Sequence, residues 1–343
     1  MILHPSPDTI DTTIFETFAS MHVQAELLGQ RVRDLKIILH TTDTETIGDT
    51  FPSMDHARMA LDKVLHGVLL FYESRCESIS MGRSSRTPLA IDAQRRAQAA
   101  LWSWHETYKR TTRGFPKPSH LSQKDIFAYK LLRVYHLMAG ILTDTSLVPT
   151  SELRFDTYTS EFAKMVRKVK ELRGVVEGLQ NNRPGWDASV RSMMELHFDF
   201  AGRSTSDMGC IPPLFFVAVK CRSHNIRHAA ISILKSMDHK EGIWDSKLAA
   251  AFTEEVVRLE EHGFYDSMGT PTSICDDQES VTDPELLDKD LPPLPESYRL
   301  PGVEAILPDN SSEKIKLAYK KFQDDGSSKT AVHEYDAATN RWV

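Results

Sequence analysis

Cys221, His224 and His228 follow one another at spacings of three and four. A thiol three residues before an imidazole outlines a nucleophile and its base, and two imidazoles four apart share a helical face, as metal ligands do. Neither outline fills in. The zinc-protease pattern requires Glu directly after the first His, where this chain has Asn225. No local signature surrounds Cys221, and free cysteines are commonly small buried hydrophobes. The histidines therefore read as solvated or capping groups and Cys221 as packing. Phosphate-cradling and dinucleotide glycine motifs and the G-x-S-x-G elbow are missing. No catalytic, cofactor-binding or metal residue is assigned, no cofactor is expected, and the chain is not expected to be an enzyme.

The elements around these residues are helical. IPPLFFVAVK, from Ile211, is apolar on every side after two prolines, as a central buried helix requires. Ser223-His224-Asn225 ends it. Ile226, Ala229, Ala230, Ile233 and Leu234 form the stripe of a second helix, with Arg227, His228 and Lys235 expected outward. Trp244 and Asp245 open a third, with Leu248, Phe252, Val256, Val257 and Leu259 inward and Gly263 as its stop.

Upstream, the helical period recurs over Thr13–His40, Met54–Ile79 behind Ser53, Ile91–Arg113, the stretch after Ser122, the stretch from Ser151, and Asp187–Phe200. Phe155, Tyr158, Phe162, Val166, Val169 and Leu172 mark one stripe. Its basic neighbours Lys164, Arg167, Lys168, Lys170 and Arg173 alternate with Glu161, Glu171 and Glu177, which reads as a solvated, salt-bridged face. Trp102, Trp104, Tyr108, Tyr129 and Tyr135 read as core, with an interhelical cavity as the alternative.

After Gly263 the composition turns acidic and proline-bearing through DLPPLPES. Leu286, Leu287, Leu291 and Leu294 among those acids give either a tether or an activation-type segment. KIKLAYKKF and KTAVHEYD then flank an Asp-Gly turn, the mark of a β-hairpin. The expected fold is all-α: an antiparallel multi-helix array with a short C-terminal β-hairpin after an acidic linker. The units are a helical domain over 1–265, the linker over 266–312 and the hairpin tail over 313–343.

The 343 residues are 41% hydrophobic and 26% charged, an ordinary globular balance. A net charge of -7 argues against a dominant nucleic-acid surface. Four scattered cysteines, Cys76, Cys210, Cys221 and Cys275, form no C-x-x-C pair and fit a reducing compartment. MILHPSPDTIDTT lacks the pattern of a signal peptide, and LFFVAV is too short to span a bilayer. The chain is expected to be soluble and intracellular.

IPPLFFVAVKCR, IRHAAISILK and KEGIWDSKLAAAFTEEVVRLEE together resemble the C-terminal signature of fungal zinc-cluster transcription factors. The likeness rests on Pro212-Pro213, Lys220-Cys221-Arg222, Ile226-Arg227 and Glu241-Gly242-Ile243-Trp244-Asp245. FPSMDHARMALDKV, ALWSWHETYK, KIKLAYKKF and RWV resemble further parts of that family with less specificity. The resemblance implies a nuclear, non-catalytic regulatory region. Its partners would be other proteins, a homo-dimer mate or a small-molecule effector, without a membrane. The family's six-cysteine module has no counterpart in these residues, so its zinc ions and specific DNA reading do not carry over. The chain is expected to be a fragment, a truncated product or a homologue that lost the module. The alternative is a stand-alone helical interaction scaffold.

Overall fold

A computed structural model describes residues 23–25, 27, 48–81, 84, 87–114, 123–147, 151–181, 204–205, 209–237, 239–268, 291–300, 302–307, 314–322, 328–336 and 339–343. The expected helix over Asp187–Phe200 and the Ser122 capping position lie outside them. Of the expected Thr13–His40 helix, Val23, Gln24, Ala25 and Leu27 are described, and they are helical.

The helices are α1 (Met54–Ser80), α2 (Pro88–Arg113), α3 (Gln123–Thr145), α4 (Thr159–Asn181), α5 (Ile211–Lys220), α6 (His224–Ser236) and α7 (Ser246–Glu261). Each of three starts has a local cause. Ser53 Oγ accepts the His56 N–H at the head of α1. Thr87 Oγ1 accepts the Ala90 N–H, and Pro88 occupies the first turn, so α2 begins earlier than its apolar stripe suggests. Asp245 Oδ1 accepts the Leu248 N–H and starts α7. The stretch from Ser151 opens as a 3-10 turn, Glu152–Tyr158, before α4.

Helices α1, α2 and α3 pack together, as do α5, α6 and α7, and α4 lies between the groups against α3, α5 and α6. One apolar core runs through both. Every α5 residue from Ile211 to Val219 is buried, so this helix is the central beam that its composition requires. In the first group Trp104 donates its indole N–H to Ala57 O at 2.7 Å and stacks on Tyr108 at 4.8 Å and His136 at 5.3 Å. Tyr108 stacks in turn on Tyr129 at 5.0 Å. Trp104, Tyr108 and Tyr135 are core residues as expected, while Trp102 is 68% exposed.

Two small sheets complete the fold. Strands β1 (Ser204–Thr205), β2 (Lys240–Glu241) and β3 (Trp244–Asp245) form one, with β1 parallel to β2 and β2 antiparallel to β3. Strands β4 (Glu304–Ile306), β5 (Ile315–Phe322), β6 (Ser328–Asp336) and β7 (Arg341–Trp342) form an antiparallel sheet in that order. The expected hairpin is its centre, and β4 and β7 extend it. Phe252 of α7 meets Tyr335 and Trp342, and His333 Nδ1 lies 2.8 Å from Glu255 Oε1, which docks the sheet on α7. Residues 291–300, assigned above to the linker, lie against the helical body with Leu294, Arg299 and Leu300 buried. Leu286 and Leu287 lie outside the described residues.

Candidate metal centre

The proline-led helix carries an unusual demand. Pro212 and Pro213 have no N–H, so the free donors at its head are those of Gly209, Cys210 and Ile211. Glu241 accepts all three, at 3.1, 2.9 and 2.8 Å, and its Oε1 also lies 2.7 Å from His239 Nε2. A Cβ at Gly209 would collide with this carboxylate. Gly242, at φ +58°, turns the chain out of β2, and Gln24 Oε1 accepts the Ile243 N–H. Tyr135 of α3 donates to Gly209 O at 2.9 Å. The Glu-Gly-Ile-Trp-Asp run therefore anchors α5 through its acid and starts α7 through its aspartate.

At the other end of α5 the charges are buried and paired. Lys220 Nζ and Arg222 NH2 reach Glu152 at 2.8 and 2.9 Å. Arg222 NH2 also reaches Glu260 Oε1 at 3.0 Å, and Arg227 NH2 reaches Glu260 Oε2 at 2.6 Å. Arg227 further donates Nε–H to Ala218 O at 3.0 Å, and the Leu300 N–H donates to Glu260 Oε1 at 2.8 Å. Arg299 forks onto both carboxylate oxygens of Asp156 at 2.8 Å and donates to Glu152 O at 3.2 Å. Burial alone would raise the Glu152 carboxyl, but Lys220 and Arg222 bring it below its ordinary value.

This corrects one expectation. Arg227 does not face outward: it is 0% exposed. Helix α6 packs against α4, α5 and α7 at once, so its exposed face is narrow. An arginine can lie inside because Glu260, on another helix, supplies the opposite charge.

The network ends at a cluster of different chemistry. His224 and His228, one turn apart on α6, have ring centroids 4.2 Å apart. His224 Nδ1 is 2.9 Å from Glu261 Oε2, and His228 Nε2 is 3.5 Å from the same oxygen. Arg227 NH1 is 3.6 Å from the other oxygen, Oε1. Tyr265, whose ring centroid is 5.0 Å from that of His224, forms one wall, and the Tyr265 hydroxyl donates to Pro292 O at 3.1 Å. Burial alone would raise the Glu261 carboxyl, but hydrogen bonds from both histidines and the Arg227 charge override it and bring it down to about 2. The group is an ionised carboxylate at neutral pH.

One ligand atom from each of His224, His228 and Glu261 lies within 4.8 Å of the others. Ligands at about 2.1 Å from a tetrahedral ion stand about 3.4 Å apart, so the observed separations bracket that requirement. The expectation that this chain has no place for a metal or cofactor is corrected: these three side chains could hold an ion. The His224–His228 spacing was visible in the sequence. The third ligand was not, because Glu261 lies 33 residues beyond His228 on another helix.

Cys221 does not form the nucleophile outlined in the sequence. It is buried in the core, while His224 is turned to Glu261. The Cys210 thiol is likewise buried, and burial together with Glu241 pushes it well above its ordinary value. Of the basic face on α4, Lys164 pairs with Glu161 at 3.3 Å and Arg173 donates to Ser236 Oγ at 2.6 Å.

A 59-residue segment is 34% identical to the aspercryptin biosynthesis cluster-specific transcription regulator atnN of Emericella nidulans. The match spans 17% of this chain and 10% of that protein. It relates part of this chain distantly to a fungal transcription regulator. No protein-family model and no solved structure matches the chain. Among the described residues, no helix is long and apolar enough to cross a membrane.

Proposed function

We propose that this chain is the helical regulatory region of a fungal transcription regulator of the zinc-cluster type, working in the nucleus and without catalysis of its own. The observation that carries the reading is the segment related to atnN, a cluster-specific transcription regulator. The Pro-Pro beam and the Glu-Gly-Ile-Trp-Asp turn support it: the residues on which the family resemblance rests are the ones that lock α5, α6 and α7 into one unit. In this reading the helices bind a protein partner or an effector, and binding shifts the population of states that the attached regulator adopts. The buried carboxylates Glu152 and Glu260 are held by cations, which suits a binding element better than a general acid or base.

The reading is tested by tethering the full chain to an unrelated DNA-binding module in a fungal reporter strain. A change of about fivefold or more in reporter output, the scale of ordinary regulatory coupling, is expected. Output equal to that of the module alone would overturn it. Sequence-specific duplex binding by the untethered chain in a gel-shift assay would also overturn it.

A further inference from the structure

We propose that His224, His228 and Glu261 bind a divalent transition-metal ion of the zinc class, and that the ion ties α6 to α7 where the buried charge network reaches the surface. This goes beyond the regulatory reading and does not depend on it.

The donor set favours such an ion on three counts. Two imidazoles and one carboxylate are borderline ligands suited to zinc, whereas calcium and magnesium prefer all-oxygen sets. The histidine spacing is one helical turn, so a rigid element presents both rings to the same point. Glu261 divides its oxygens: Oε1 faces Arg227 and Oε2 faces both histidines, which leaves Oε2 for the ion while Arg227 fixes the carboxylate plane.

The side chains of His224 and Glu261 are largely covered and that of His228 is 29% exposed, so the site opens to solvent on the His228 side. Water can take a fourth position there, as at three-ligand zinc sites. His224 Nδ1 and His228 Nε2 both face Glu261 Oε2, at 2.9 and 3.5 Å. Binding requires His224 Nδ1 and His228 Nε2 to present lone pairs. Each ring must therefore carry its proton on the opposite nitrogen.

The test uses the full chain, stripped with chelator and titrated with Zn2+ against a chromogenic competitor. Co2+ absorption then reads the ligand type. One ion per chain is expected, with ligand-field bands of nitrogen and oxygen coordination and a rise in the thermal midpoint on adding zinc. His228→Ala is the decisive variant, because its side chain is the most exposed of the three. It should keep the helical circular dichroism of the wild type and weaken binding by about a hundredfold or more, beyond the loss expected of an outer residue. His333→Ala, at the separate contact with Glu255, should bind as the wild type does. Zinc affinity unchanged in His228→Ala, a thiolate-to-cobalt charge-transfer band, or no uptake at micromolar zinc would each overturn the proposal.

Discussion

Arg227 and Glu260 meet at 2.6 Å with neither side chain exposed to solvent. The pair joins α6 to α7 in the interior, and Glu260 simultaneously holds Arg222 and the backbone of Leu300. Removing one member of such a pair leaves a charge that the interior cannot solvate.

Arg227→Ala is accordingly expected to destabilise the chain by about 3–5 kcal/mol in urea unfolding. Arg227→Lys should also be costly, because an ammonium cannot serve Glu260 and Ala218 O with the guanidinium's fixed fork. A loss below about 1 kcal/mol for Arg227→Ala, the range of exposed pairs, would mean that the network is solvated in solution.

Glu241→Ala should cost about 1–3 kcal/mol, since a charged acceptor serving three N–H groups is lost. Gly209→Ala should be destabilising in the wild type because its methyl group meets the Glu241 carboxylate. In the double variant that collision is relieved, so the two costs should sum to more than the measured total. Additive costs would disconnect the two residues.

Two pH windows are expected. His136, stacked on Trp104, is lowered to about 4 by burial first and by His105 second, from an ordinary 6.5. Its folded form refuses a proton that the unfolded chain accepts, so the stability it contributes is full above pH 6.5 and lost as pH falls toward 4. Glu261 has a folded value of about 2 against 4.5, so its contribution is present above 4.5 and lost as pH falls toward 2. Each window is worth about 3–4 kcal/mol at roughly 1.4 kcal/mol per pH unit. His136→Phe should flatten the upper window and Glu261→Gln the lower one, read from urea midpoints across pH. Identical pH profiles for wild type and variants would refute both assignments.

Phe252→Ala should cost about 3–5 kcal/mol, as for other buried aromatics, and should loosen the sheet together with α7. The Phe252 ring sits 5.1 Å from that of Trp342 and 6.4 Å from that of Tyr335, so one deletion empties the seam between helix and sheet. Amide exchange in β6 and β7 should rise with it. Unchanged protection there would separate the sheet from the helix.

What a single element decides was legible beforehand. The all-round apolar run from Ile211 announced a buried helix, the Asp-Gly turn announced the hairpin, and Trp104 and Tyr108 were placed in the core. What two elements decide together was not. Arg227 falls beside the apolar stripe of α6, and only Glu260 on α7 explains its burial. The two histidines suggested a shared face, but their carboxylate comes from the end of another helix. Glu241 was named only as part of the run that carries the resemblance, and the three donors it serves lie on the far side of α6 in the chain. Periodicity reports which face is apolar; it carries no information about where an opposite charge will arrive from in space.

The fork of Arg299 on Asp156 and the reach of Leu300 N–H to Glu260 give the C-terminal third a role that its acidic composition conceals. A chain cut after residue 265 would retain α1–α7 yet strand Asp156 without its fork and Glu260 without one donor. Melting should then be broad and early rather than a clean loss of one peripheral piece. The far end of the polypeptide thus acts as a keystone for helices laid down more than a hundred residues before it.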